Sequence, residues 1–170
     1  GGELSIYVGT TNGTSSYLAG AVAALFKKEG VSVVLRDLDV FPEYAEQRHK
    51  AIIITSSFDG PPANARRFRD WMLGLGGGTS IGVEYAVFGC GSSEWSETYQ
   101  EFPRWVDAML SASGGIRIAE REEGDVRGDF LVRSHRWAQE VFDIMYGGAS
   151  RKSGTRGEKS VSIPLHEVNF

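Results

Sequence analysis

Leu4-Ser5-Ile6-Tyr7-Val8, then Gly9-Thr10-Thr11-Asn12-Gly13-Thr14-Ser15-Ser16, then Tyr17 to Glu29 is the stretch that decides how this chain reads. The first five residues form a short β-type run that stops at a glycine. The next eight are small and polar. In the third segment Leu18, Ala21, Val22, Leu25 and Phe26 recur at helical spacing, and Lys27, Lys28 and Gly30 supply a helix stop. Strand, polar turn and helix make one βα unit, and the amides of the turn face the helix N-terminus.

The same alternation repeats outward. Val31 to Leu35 is again β-branched and apolar. Ala51-Ile52-Ile53-Ile54-Thr55 is apolar without alternation and too short for a helix, as expected of a strand covered on both faces. A Gly60-Pro61-Pro62 turn leads to a helix over Asn64 to Leu73. Glu84 to Phe88 reads as a fourth strand. Pro103 to Ser111 reads as a helix with its proline in the first turn. Gly115 to Ala119 is a fifth strand. Phe130 to Tyr146 is a last amphipathic helix through Phe130, Leu131, Trp137, Val141 and Ile144. Strands alternating with helices predict an α/β fold, a doubly wound five-stranded parallel sheet of order 2-1-3-4-5 with helices on both faces. Its ligand is expected at the carboxyl ends of the strands.

Gly1-Gly2 reads as a cloning remnant, and the domain as residues 3 to 146. Gly147 to Ser160 is rich in Gly, Ser, Lys and Arg and reads as a linker, with an apolar Val161 to Phe170 after it. This tail is basic, which leaves a net −6 on the body of a chain whose total is −4. That balance argues against general nucleic-acid binding. No apolar run reaches the length of a membrane span, and no export leader is visible. The 22 glycines lack periodicity and gather at strand ends, where tight turns and close ligand approach are expected. One cysteine excludes a disulfide framework or a Cys-rich metal site. His49, His135 and His166 are scattered without metal-ligand spacing. No G-x-S-x-G elbow is present. Phe68, Trp71 and Met72 are expected in the core, with Arg66, Arg67 and Arg69 in solvent or against a partner.

Three loops fall at the ligand end. Thr10 to Ser16 offers amides and hydroxyls at a helix N-terminus, without Lys or Arg. That suits a phosphate held by hydrogen bonds, and equally a well-capped helix start. Thr55 to Pro62 is a rigid turn carrying Phe58 and Asp59. Gly89 to Tyr99 places Trp95 and Tyr99 in a polar loop, where an aromatic either stacks on a ligand or anchors the core. Cys90 reads as a small buried side chain. Together the loops suit a phosphorylated planar heterocycle.

Gly9-Thr10-Thr11-Asn12-Gly13-Thr14-Ser15 resembles the phosphate loop of the flavodoxin-like FMN domain of diflavin reductases, in particular of self-sufficient cytochrome P-450 monooxygenase–reductase fusions. Ser57-Phe58-Asp59-Gly60-Pro61-Pro62-Ala63-Asn64-Ala65 is similar to that family's second flavin loop. Val87 to Gly91 with Trp95, Thr98-Tyr99-Gln100 and Pro103 is similar to its third. The segment Ala119 to Phe130 looks like its acidic stretch before the last helix. The likeness runs from about residue 4 to 146. Phe58 stands where Tyr is common, and Glu94 where a neutral residue is frequent.

The resemblance implies non-covalent FMN. Thr10, Thr11, Asn12, Gly13, Thr14 and Ser15 would hold its phosphate. Phe58 and Trp95 would contact the ring faces. Backbone groups of Ser57, Asp59, Gly60, Cys90 and Gly91 would reach the ring edge. Thr98 and Tyr99 complete the set, Tyr99 beside the ring or ribityl chain. No catalytic acid or base and no metal is implied. Electrons would come from FAD reduced by NADPH and leave singly to a haem iron. The reductase and haem domains are expected in the same cytoplasmic polypeptide, with the tail leading into the former. Asp59, Glu94, Glu97 and Glu101 would disfavour negative charge on the reduced flavin. The acidic body could steer a basic haem-protein face. The alternatives are a free-standing flavodoxin carrier, the FMN domain of another diflavin reductase, and a flavin-free interaction module on the same fold.

Overall fold

Leu4, Ile6 and Val8 pack on one face of their strand and Tyr7 on the other, and all four are buried. This two-sided burial explains the unbroken apolar runs. Ile52 and Ile54 join the first face and Ala51 and Ile53 the second. The structure, a computed structural model, describes residues 2–57, 60–75 and 80–147. Phe58, Asp59, His166, the linker and the apolar end of the tail lie outside the described residues.

The elements run β1 (Leu4–Gly9), α1 (Thr14–Lys28), β2 (Val33–Asp37), a 3₁₀ segment (Leu38–Glu43), β3 (His49–Ser56), a 3₁₀ turn (Ala63–Ala65) and α2 (Arg66–Leu73). Then follow β4 (Val83–Gly91), α3 (Glu101–Ala112), β5 (Ile116–Arg117), β6 (Glu122–Asp125) and α4 (Phe130–Phe142), which ends in a π-helical turn (Asp143–Gly147). The sheet is parallel in the order β2-β1-β3-β4-β5, with β6 also on β4. α1 and α4 cover the Leu4 face, and α2 and α3 the Tyr7 face. Phe68 and Met72 are buried there as expected.

The fifth strand differs from the expectation of one continuous Gly115 to Ala119 segment. Ile116 and Arg117 pair with Glu84 and Tyr85, and Glu122 to Asp125 pair with Phe88 to Gly91. Residues 118–121 occupy the space opposite only Ala86 and Val87. The fifth position is therefore one edge strand broken by a two-residue bulge. The acidic stretch is its second half.

Behind the bulge lies the buried carboxylate of Asp107, a residue 4% exposed. It accepts from Arg117 Nε at 2.9 Å, from Arg121 Nη1 at 2.6 Å and from the Tyr85 hydroxyl at 3.1 Å. Burial, with this carboxylate second, pushes the Tyr85 phenol up to about 12. Arg117 ends the first piece and Arg121 is the last residue before the second, so one carboxylate on α3 ties both pieces of the edge.

At the end of α4 the expected apolar stripe fails for Ile144, which is 53% exposed. The wider π turn shifts the helical phase, so Met145 and Tyr146 pack on the core in its place.

Candidate functional site

Parallel pairing puts the carboxyl ends of the three central strands side by side. Gly9 sits opposite Thr55, Thr55 opposite Gly89, and Ser56 opposite Cys90. The loops that follow these strands, carrying Thr10 to Ser15, then Ser57 and Gly60, then Cys90, Gly91, Trp95, Thr98 and Tyr99, therefore start at one edge.

In the first loop Gly13 adopts a left-handed backbone, with φ at +94°, which a side chain would oppose. The loop is shaped by its own side chains. Thr10 Oγ1 accepts from the Gly13 amide at 2.9 Å, and Asn12 Oδ1 from the Thr14 amide at 3.2 Å. Each threonine hydroxyl used as an acceptor keeps its own O–H to donate. The first bond inside α1 is from the Tyr17 amide to the Gly13 carbonyl. The Ser15 and Ser16 amides precede it, and so have no carbonyl four residues back within the helix. The first turn of α1 carries no acidic residue. A helix N-terminus with a positive dipole end and no carboxylate in its first turn suits a phosphate. Ser15 differs from the expectation of a hydroxyl donor in one respect. Its side chain is fully buried, beside the Cys90 thiol, which leaves its amide as the group facing the loop.

The second loop is bound to the third by Ser57. Its amide donates to the Cys90 carbonyl at 3.1 Å, its hydroxyl donates to the Thr98 carbonyl at 2.9 Å, and the same oxygen accepts from the Phe102 amide at 3.1 Å. Ser57 is thus a buried clamp, and only its carbonyl is left for other contacts. Gly60 also takes a left-handed backbone, with φ at +85°.

The third loop is a series of tight turns, from the Trp95 amide to the Ser92 carbonyl at 2.9 Å and from the Thr98 amide to the Trp95 carbonyl at 3.1 Å. Trp95 is 48% exposed, so the ring is not a core anchor. Tyr99 is half-buried, and burial raises its phenol above the ordinary value. Cys90 is buried, and burial pushes its thiol up to about 12, which makes it an inert packing group.

Two residues at this end carry structure that sequence reasoning did not assign. Gln100 caps α3 from a left-handed backbone at φ +61° and is fully buried. Its Nε2 donates to the Gly89 carbonyl at 3.0 Å and the Gly124 carbonyl at 3.4 Å. A Cβ on Gly89 would overlap this side chain and meet Pro103 at 2.7 Å, and one on Gly91 would meet the Tyr99 ring at 3.1 Å. These glycines make room for protein side chains, rather than for the ligand as their position at strand ends suggests. The second is Asn64, hydrogen-bonded to both the first strand and the first loop. Only the loop-to-loop contact reveals it, and no local sequence signal does.

The electrostatics are uneven. Asp125 at the end of β6 accepts from the Arg127 amide at 2.9 Å and the Ser93 amide at 3.3 Å. Those bonds, Arg127's first, hold its carboxyl below the ordinary range. Arg127 pairs with Glu94, so one of the four carboxylates expected to surround the ring is partly compensated. A groove lined by Tyr99, Glu123, Asp125, Asp129 and Val132 runs alongside. Among the described residues no group of His, Cys, Asp and Glu could hold a metal, and no helix is long and apolar enough to cross a membrane.

A parallel sheet of order β2-β1-β3-β4-β5 with helices on both faces defines a flavodoxin-like fold. The flavodoxin family model matches residues 6–137, and this chain belongs to that family. The domain's cofactor is FMN. The chain is similar to bifunctional cytochrome P450/NADPH--P450 reductase 2 of Bacillus subtilis (strain 168), at 38% identity over 152 residues and 85% of this chain. It is also similar to reductase 1 of the same organism, at 35% over 140 residues and 82% of the chain. It spans only 14% and 13% of those relatives' lengths. In fold it is similar to a flavodoxin of Streptococcus pneumonia TIGR4, with a TM-score of 0.66 at 16% identity, covering 82% of this chain and 97% of that one.

Proposed function

We propose that this chain is the FMN-binding electron-transfer domain of a cytochrome P-450 monooxygenase–reductase fusion, taking electrons from an NADPH-reduced FAD module and passing them singly to a haem iron. The observation that carries the reading is the convergence of the three loops at one sheet edge, phosphate cradle on one side and exposed Trp95 on the other. The likeness to the Bacillus subtilis fusions supports the choice of partners. The FAD/NADPH and haem domains would belong to the same cytoplasmic polypeptide, and FAD, NADPH and haem to those domains.

FMN, when bound, supplies the redox chemistry; the protein supplies orientation and field. Thr10, Thr11, Asn12, Thr14 and the Ser15 amide would hold the phosphate, with Gly13 giving the left-handed turn that shapes the loop. Trp95 would cover one ring face, with Phe58 as the expected second wall. Backbone groups of Ser57, Asp59, Gly60, Cys90 and Gly91 would border the ring edge, with Thr98 and Tyr99 beside them. The exposed third loop keeps an edge open to a partner. No side chain is required as a proton donor or acceptor. The acidic body would steer a basic haem-protein face.

The first test is the absorption spectrum of the purified chain, with FMN added if it is colourless. Flavin bands that co-elute in gel filtration with quenched fluorescence are expected. Failure to bind would leave the fold with an interaction-module role. The second is the rate at which the photoreduced, FMN-loaded chain is oxidised by a P450 haem domain, expected to fall as salt rises. A rate indifferent to ionic strength would remove the steering claim.

A further inference from the structure

Asn64 lies on the second loop, yet all three of its side-chain hydrogen bonds go to the first strand, the first loop and the end of the second strand. Its Oδ1 accepts from the Thr10 amide at 2.7 Å. Its Nδ2 donates to the Val8 carbonyl at 2.9 Å and to Asp37 Oδ1 at 3.2 Å. An amide donor and a carbonyl acceptor on either side permit only this orientation of the carboxamide. Next to it, the Ala63 amide donates to Thr11 Oγ1 at 3.0 Å. The backbone leaves β1 at Gly9, where a Cβ would overlap the Thr55 side chain. The phosphate loop is therefore fixed at its root by Gly9 and at its side by Asn64.

We propose that Asn64 is a positioning residue for the flavin phosphate. It binds the Thr10 amide and the Val8 carbonyl at once, which sets the direction in which the remaining loop amides and the Ser15 and Ser16 amides point. The carboxamide does this without a charge. A carboxylate there would repel a phosphate dianion, and a cation would pair with Asp37. Asn64 acts on the phosphate end alone, because none of its three partners lies in the third loop. This proposal rests on the FMN reading given above.

The experiment compares FMN with riboflavin, the same ring and ribityl chain without phosphate, by fluorescence titration of the whole chain. Asn64→Ala is expected to bind FMN about tenfold more weakly, the scale of one lost backbone hydrogen bond. Its riboflavin affinity is expected to match wild type. Inorganic phosphate should compete with FMN in wild type and less in the variant. Asn64→Ser, which can accept from Thr10 but cannot also reach Val8 and Asp37, should fall between, and serves if the alanine variant does not fold. An equal loss for FMN and riboflavin would show a merely structural role and overturn the proposal, as would unchanged FMN affinity. A wild-type chain that binds neither flavin would overturn the functional reading itself, and the proposal with it.

Discussion

The two sides of the ligand end are held by different chemistry. The phosphate side is built almost wholly from neutral hydrogen bonds: Asn64 to Thr10 and Val8, Ala63 to Thr11, Gly13 to Thr10, Thr14 to Asn12. The Trp95 side is built from charges. Arg127 pairs with Glu94, Asp125 collects two amides, and behind them Glu123 takes Arg104 at 2.7 Å while Asp107 takes two arginines. A carboxylate in that loop would repel a dianion and compete for its amides, so neutral side chains shape the loop without opposing the ligand. The ring side meets no formal charge on the oxidised flavin, so ion pairs can be used there to hold an exposed loop and its bulged edge strand.

That contrast can be broken at its deepest charge. Asp107→Ala leaves Arg117 and Arg121 without their buried acceptor, and about 3 kcal/mol of stability should be lost in urea unfolding. Hydrogen exchange should quicken along Ile116 to Asp125 and stay unchanged in Thr10 to Ser15. Equal quickening in both regions would mean that the two sides are one unit.

Gly89→Ala tests the packing between them. Overlap with Gln100 and Pro103 should cost about 2 kcal/mol, read as a lower thermal midpoint. A neutral result would mean that Gln100 can swing away freely.

Acid provides a milder probe. Hydrogen bonds from Arg104 hold the Glu123 carboxyl below its ordinary 4.5, and the Arg127 and Ser93 amides hold Asp125 below 3.8. A lowered carboxyl lends stability above its ordinary value and loses it as pH falls through the lowered one. The Ser93 and Arg127 amide signals in NMR should therefore titrate below pH 3.8, while the Gly13 and Thr14 amides stay still over the same range. Movement of all four together would erase the distinction.

The smallest effect is expected from Arg127→Gln. Its pair with Glu94 is 55% and 62% exposed, so stability should change by less than about 0.5 kcal/mol. Uncovering Glu94 should still lower the potential of bound FMN in a redox titration. An unchanged potential would mean that the Arg127–Glu94 pair does not act on the ring.

The Leu4 to Glu29 unit and the unbroken Ala51 to Thr55 run are enough to read the parallel order, because period, burial and turn chemistry are local properties of the chain. Trp95 in a polar loop was legible for the same reason. The bulge between β5 and β6 was not. Nothing in Ile118 to Arg121 marks an interruption, which exists because the edge strand must reach β4 at two registers two residues apart. Ile144 leaves the apolar stripe because the helical period does not continue through a turn whose pitch differs.

The sequence by itself determined the alternation of elements, the two-sided burial of the central strands and the three loops that gather at their carboxyl ends. Only the tertiary structure decided what holds those loops. Asn64 to Thr10, Ser57 to Thr98, Asp107 to Arg121 and Gln100 to Gly124 are 54, 41, 14 and 24 residues apart in the chain. A hydrogen bond depends on distance in space, and no residue carries in its own neighbourhood the identity of a partner that folding brings to it.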